Sequence, residues 1–229
     1  MRRERMMSRK VPLLYLLLVG VLLLGVGPAF VVLAATDDEV PQIEIQDYQG
    51  EILGSVTDFR ENSIHGVQKI DADAYMLTID GLVAQSAGFS YGDLQSMSHV
   101  RRLITLHCVE GWSVKALWEG IPLAALFDLV HPLPGSTTVI FHAADGYTTS
   151  LPLSEILDKD LIIADHINGI VLPPANGFPF QLVAQDKWGY KWIRWITRIE
   201  LSNDDDFRGY WESIGYSNTG NYGEPMFGR

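Results

Sequence analysis

The amino-acid sequence predicts an α+β fold rich in strand, and not a doubly wound parallel sheet. Three observations carry this. Short β-prone runs recur between residues 74 and 201 and stop at Gly, Pro or Asp-Gly. Helical spacing appears only in brief stretches among them. The regular alternation of strand and long helix that a parallel βαβ sheet needs is absent from the pattern.

The elements follow in chain order. MRRERMMSRK carries five basic residues against Glu4, and residues 11–35 then carry no charge. A run of ~20 apolar residues spans a bilayer, so residues 1–35 predict one N-terminal hydrophobic helix. Two readings fit it. One is a retained anchor with its basic flank in the cytoplasm. The other is a cleaved signal peptide, with Leu13 to Gly27 as its apolar region and a small-residue site ending at Ala34 or Ala35. Either puts the rest of the chain outside the cytoplasm, membrane-anchored or periplasmic. Arg2-Arg3 ahead of Met6-Met7 is a loose twin-arginine pattern.

Residues 36–58 read as a polar linker, with a short strand at Ile43 and Ile45 where apolar and polar residues alternate. Ala74–Ile79 is a strand closed by a turn at Asp80-Gly81, with Leu82-Val83 beyond. Ser90 caps one or two helical turns reaching Met97. Arg102–Cys108 is a strand placing Ile104, Leu106 and Cys108 on one face, and Gly111 ends it. Pro122 opens a helix over Leu123–Val130 that His131-Pro132 closes. Thr137–His142 is a buried strand. Asp145-Gly146 then turns into Tyr147–Leu151. Ser154–Leu157 starts a short helix, Leu161–Ala164 is an apolar run, and Val171–Gly177 is a rigid loop. Phe180–Ala184 and Ile196–Leu201 complete the strands.

Composition narrows the function. Of 17 basic and 28 acidic residues, five and one lie in residues 1–35, so the remainder carries 12 and 27, a net charge of −15. Such an acidic surface excludes nucleic acid as a partner, because phosphate neutralisation needs basic residues. One cysteine excludes a disulfide framework and any Cys-only metal site. The six histidines show no ligand spacing, so a histidine-held zinc is not expected.

Two features carry chemistry. Cys108 ends its strand in HCVEGW. A lone cysteine often simply fills a core, but a strand end is also where site residues are displayed, and a soft metal would occupy an extracytoplasmic thiol. Glu110 is the one ionisable side chain within two residues beyond it. The second feature is KWGYKWIR, where Lys187, Lys191 and Arg194 interleave with Trp188, Tyr190 and Trp192. A basic, aromatic loop in an acidic domain suits an anion with a flat ring beside it; the other reading is a surface strand whose Trp residues cover a core edge. Asn62 in RENSIHG and Asn176-Gly177 after Pro173-Pro174 sit in turn-forming segments that would attract no notice alone.

Taken together, these segments resemble the molybdopterin-binding domain of the sulfite oxidase family, in the branch of periplasmic methionine-sulfoxide reductases. The likeness is carried by FRENSIHGVQ (59–68), YMLTIDGLV (75–83), LHCVEGW (106–112), IPLAALFDL, DGYTTSLPL (145–153), LPPANGFPFQLV (172–183), KWGYKWIRWITRIEL (187–201) and GYWESIGYSN (209–218). It implies a β-rich sulfite-oxidase-type fold over residues 59–218, with a tail at 219–229. It implies molybdenum held by Cys108 and by one molybdopterin. The family's pterin-contact positions fall on Asn62, His65, Gly66, Ala143, Asn176, Gln181 and Trp192, Ile193 and Arg194. Ala143 stands where a hydroxyl residue is usual and Gln181 where an arginine is usual; Lys187, Lys191 and Arg194 could supply the missing charge. The implied activity is oxygen-atom transfer on a small S- or N-oxide or a sulfite-like molecule, with Cys108 and Glu110 as catalytic residues. No CxxCH occurs, so electrons are expected to pass to or from a separate protein, such as a membrane cytochrome. The alternatives are a non-catalytic extracytoplasmic binding module and an inactive cofactor-binding relative.

Overall fold

The computed structural model describes residues 43–228; the hydrophobic helix expected over residues 1–35 lies outside the described residues. A first hairpin joins β1 (Asp47–Tyr48) to β2 (Glu51–Ile52) through Gln49 and Gly50, both at positive φ, as a mirror-image two-residue turn demands. No strand forms at Ile43 and Ile45. Ile45 N instead donates to Asn168 O, and the Glu44 carboxylate accepts from Ser55 Oγ, Val56 N and Asn168 Nδ2. Single bonds hold this segment where a ladder was expected.

The chain continues through β3 (Met76–Gly81), β4 (Ala87–Ser90), α1 (Tyr91–Gln95), β5 (Val100–His107), β6 (Ser113–Pro122) and α2 (Leu123–Val130). Then come β7 (Thr138–Ala143), β8 (Thr148–Pro152), α3 (Leu153–Asp158), β9 (Ile162–Ile167), β10 (Ile170–Val171), β11 (Gln181–Val183), β12 (Ile196–Ser202) and α4 (Tyr210–Ser213). Ser90 caps α1 as expected, its hydroxyl accepting from Asp93 N while the Asp93 carboxylate accepts from Ser90 N, the reciprocal cap that satisfies two orphan donors.

Besides the β1–β2 hairpin, the described strands form two five-stranded sheets. One runs β4-β3-β12-β7-β8, antiparallel except where β12 lies parallel to β3. The other runs β10-β9-β6-β5, with β11 also on β9, and is antiparallel throughout. The mixed, strand-rich expectation therefore holds. The expected turn at Asp80-Gly81 is the end of β3 itself, and residues 87–90 return along it as β4. The longest strand, β6, was not expected.

Leu77 and Ile79 of β3, Phe141 of β7 and Ile199 of β12 are buried in one core with Trp118 and Ile121 of β6 and Ile163 of β9. Each such side chain contributes roughly 1.5–3 kcal/mol on leaving water. Around this core, the tip of the β5–β6 hairpin, the β7–β8 turn, the loop before β12 and α4 converge on one cavity. Among the described residues, no helix is long and apolar enough to cross a membrane.

Candidate active site

β5 ends at His107, and the chain turns at once. Cys108 N donates to Trp112 O, Gly111 N donates to Cys108 O, and Gly111 takes φ +87° to close the loop. This tight tip fixes Cys108 beside the cavity. The residue is 5% exposed, with Asn62 Nδ2 3.8 Å from its sulfur. Burial pushes the thiol above its ordinary value, while the backbone N–H groups of Glu110 and Val109 and the charge of Arg194 pull only partly the other way. A bound cation would reverse that balance and keep the thiolate.

The cavity holds about 450 Å³. Asn62, Cys108, Glu110, Asn176, Gln181, Trp192, Ile193 and Arg194 all line it, so most of the residues singled out in the sequence meet there. Glu110 is exposed and its Oε2 accepts from Trp112 Nε1 at 3.0 Å. Arg194 is pinned at the wall. It donates to Ala175 O at 2.8 Å and reaches Glu61 Oε1 and Asn62 Oδ1 at 3.3 Å, and its guanidinium lies 4.5 Å above the Trp195 ring. Burial lowers its pKa and the Glu61 carboxylate raises it. Gly177, at φ +104°, makes room for it; a Cβ there would sit 3.0 Å from Arg194 Cβ and Cγ. Asn176 is buried and donates to Val56 O.

Five of the expected residues do not line the cavity. His65 is exposed and its Nδ1 meets Asp145 O at 2.7 Å, so it braces a wall residue. Gly66 is exposed, and Ala143 is buried at the end of β7. The two lysines need a firmer correction. Lys187 is engaged with Glu155 at 2.7 Å, Thr219 O and Asn221 Oδ1. Lys191 is 0% exposed and its ammonium is bound to Glu212 at 2.5 Å and to Ser150 O. An ammonium already paired in the interior is not a free charge for a phosphate. KWGYKWIR also forms no surface strand: its centre is a single 3-10 turn, Gly189–Lys191.

Sequence reasoning missed much of the remaining wall. Trp112, Tyr210, Trp211 and Tyr216 complete an aromatic wall with Tyr190 and Trp195 of the basic, aromatic stretch already singled out, and Asp145 and Tyr147 stand at one side. Tyr147 donates to Tyr190 O, and burial holds its phenol well above the usual range. The dense aromatic run GYWESIGY was the available signal.

These residues suit the molybdenum–pterin group that the resemblance implies. Cys108 is a soft donor, the right kind for such a metal. Asn62, Asn176 and Gln181 offer amide donors and acceptors for a heterocycle. Arg194 offers a planar fork for a phosphate. The volume lies in the range of cofactor sites, about 300–1,000 Å³. Among the described residues, no group of three or more His, Cys, Asp or Glu is arranged to hold a metal ion without it.

Comparison with known proteins agrees. A model of the oxidoreductase molybdopterin binding domain matches residues 64–211. The chain is 31% identical over 162 residues to a putative protein-methionine-sulfoxide reductase subunit, YedZ1, of Azospira oryzae, covering 69% of this chain and 62% of that protein. It is 29% identical to the oxidoreductase YuiH of Bacillus subtilis, covering 64% and 74%. It is 34% identical to the protein-methionine-sulfoxide reductase catalytic subunit MsrP of Gluconobacter oxydans, covering 56% and 46%. The chain thus spans between about half and three quarters of these relatives' lengths. The sulfane dehydrogenase SoxCD of Paracoccus pantotrophus shares the fold, with TM-score 0.60 at 20% identity over 66% of this chain and 42% of that one. A family match over most of the stretch that builds the cavity, carried on this fold, means that the chain belongs to the sulfite oxidase family of molybdopterin-binding oxidoreductases.

Proposed function

We propose that this chain transfers an oxygen atom from a small, neutral S- or N-oxide, working outside the cytoplasmic membrane with electrons from a separate redox protein. The observation that carries the reading is the placement of the sole cysteine at an aromatic-walled cavity. When bound, the molybdenum–pterin group supplies the two-electron oxygen-transfer chemistry. Cys108 would be its thiolate ligand, Arg194 would hold its phosphate, and Asn62, Asn176 and Gln181 would meet its ring system. Trp112, Tyr210 and Trp211 exclude water and hold a neutral substrate by its apolar flank.

Reduction of a sulfoxide to a thioether and water takes up two electrons and two protons. Glu110, at the mouth beside Cys108, is the carboxylate that passes a proton to the departing oxygen. Two relatives carry methionine-sulfoxide reductase names, which supports the sulfoxide. The acidic domain repels an anion such as sulfite, which supports a neutral substrate. The basic, uncharged-then-polar N-terminus supports an extracytoplasmic site, with either an anchor beside a membrane cytochrome or a removed signal; sequencing the N-terminus of membrane-bound protein separates the two.

The test is metal analysis with turnover of a dialkyl sulfoxide by viologen-reduced protein. Wild type should carry one molybdenum per chain and reduce the sulfoxide, while Cys108→Ser folds and does neither. Turnover by Cys108→Ser, or sulfite oxidation faster than sulfoxide reduction, overturns the reading. Glu110→Gln should lower kcat by about 10²-fold and abolish the solvent deuterium isotope effect.

A further inference from the structure

The wall between the cavity and the outside is thin at one place. Gly189 lines the cavity, and a Cβ on it would lie 3.3 Å from Cys108 Cα. On the outer side of the same loop lies an open cleft of about 790 Å³, lined by Glu155, Lys159, Asp186, Lys187, Tyr222 and Glu224 among others.

His107, bonded to Cys108, reaches this outer side. Its ring stacks on Tyr222, with centroids 3.7 Å apart and planes at 12°. Trp188 meets Tyr222 edge-on at 4.9 Å, and its Nε1 donates to Glu224 O. Tyr222 itself is 48% exposed. A peptide bond and two stacked rings therefore lead from the cysteine to solvent. Electron tunnelling weakens steeply with distance, so such a path is worth more than any longer route through the sheets.

Charge identifies the occupant. Lys187 is buried against Glu155, and Lys159 is tied to Glu155 and Asp186. Glu224 and Asp205 stand exposed at the rim, and the Asp186 side chain is 63% exposed. The face is net negative. A complementary partner is basic.

We propose that this face, centred on the Tyr222–His107 stack, is where a basic one-electron redox protein docks and exchanges electrons with the centre at Cys108, inward during sulfoxide reduction and outward when the reduced enzyme meets an oxidised partner. The inference rests on the reading above. Each sulfoxide reduced needs two electrons, so the donor makes two encounters per turnover and is itself oxidised by one electron in each.

The test uses holoenzyme and cytochrome c, a basic haem protein. Binding of ferricytochrome c is measured by calorimetry at low ionic strength. Its reduction by viologen-reduced holoenzyme is followed by stopped flow, with a small neutral quinone as a control oxidant that needs no docking. Asp186→Lys with Glu224→Lys should weaken binding and slow cytochrome reduction by about tenfold or more, leaving the quinone rate unchanged. Asp71→Lys with Asp73→Lys, the same charge change on the exposed loop before β3, should alter neither by more than about twofold. Tyr222→Leu should slow cytochrome reduction and spare the quinone. Equal losses in both double variants would mean that net charge acts without a site, and overturn the proposal. Parallel slowing with the quinone would put the damage at the centre, and also overturn it. So would a dimer that Tyr222→Glu converts to monomer, since a second copy would then cover the face. Failure of wild type to reduce sulfoxides removes the substrate reading and leaves these binding and quinone measurements intact.

Discussion

Arg194 combines a hydrogen bond to Ala175 O, a stacked contact on Trp195 and contacts to Glu61 and Asn62 at the cavity wall. Truncation to alanine should therefore cost about 1–2 kcal/mol of stability, from a charged hydrogen bond and a cation–π contact. Its effect on molybdopterin content should be larger, a loss of tenfold or so from a missing bidentate grip at about 1.4 kcal/mol per decade. Arg194→Lys should keep the charge, lose the fork, and recover only part of the cofactor. Fluorescence of released pterin and urea unfolding of the same preparations separate the two effects. Cys108 and Arg194 were legible because each is exceptional in its surroundings: the sole thiol, and a cation among indoles. Lys187 and Lys191 looked equally exceptional. Their partners, Glu155 and Glu212, are distant in sequence, so nothing near them announced that their charges were already matched.

At the level of elements, strands that alternate or run apolar between turn signals were readable, and β6 was not. Lys115 and Glu119 interrupt it, and after Ala116 its burial stops alternating, because Ala116, Leu117 and Trp118 in succession are all buried. A strand covered on both faces loses the period that marks it. Gly120 marks its irregularity with β9, where a Cβ would fall 2.0 Å from Ile163 O. The aromatic run at 209–216 was visible in the sequence, but its place at the cavity was not. α4 is a single turn, held against β8 by Lys191–Glu212, with Thr149 Oγ1 donating to the same carboxylate oxygen. Lys191→Met leaves that carboxylate buried without its counter-charge, with only the neutral Thr149 hydroxyl donating to it, and should cost about 3–5 kcal/mol. Lys191→Met with Glu212→Leu should recover most of the loss in urea midpoint, because an apolar pair has no charge to desolvate. A double variant as unstable as the single would show that the pair itself supplies the stability.

The whole molecule combines a strongly acidic surface with a small set of buried ionisable groups, and its pH response follows from the latter. Asp165 is fully buried on β9, facing Gln95, His99 and Tyr91 from α1 and its flanks, with His166 Nδ1 3.0 Å away. Glu119 and Arg101 also act on His166. Burial raises the Asp165 pKa, and its bonded partners more than reverse this, leaving it below 3.8; the Asp165 carboxylate raises His166 above 6.5. The His166 contribution is therefore full below about pH 6.5 and fades as pH rises through its folded value, while that of Asp165 is lost as pH falls through a value under about 3.8. The difference in unfolding temperature between wild type and His166→Gln should be largest near pH 5 to 6 and shrink by pH 8, as calorimetry would read. His107, whose pKa burial lowers, acts in the opposite sense and cancels in that difference. The Lys191–Glu212 tie also has a consequence for descent and for protein engineering. It joins the loop that carries Tyr190 and Trp192 to the turn that carries Tyr210 and Trp211, so neither can be exchanged alone. A chimera that imports an α4 without the matching glutamate leaves Lys191 buried and stranded, and new substrate ranges on this scaffold must arise by changing both segments together.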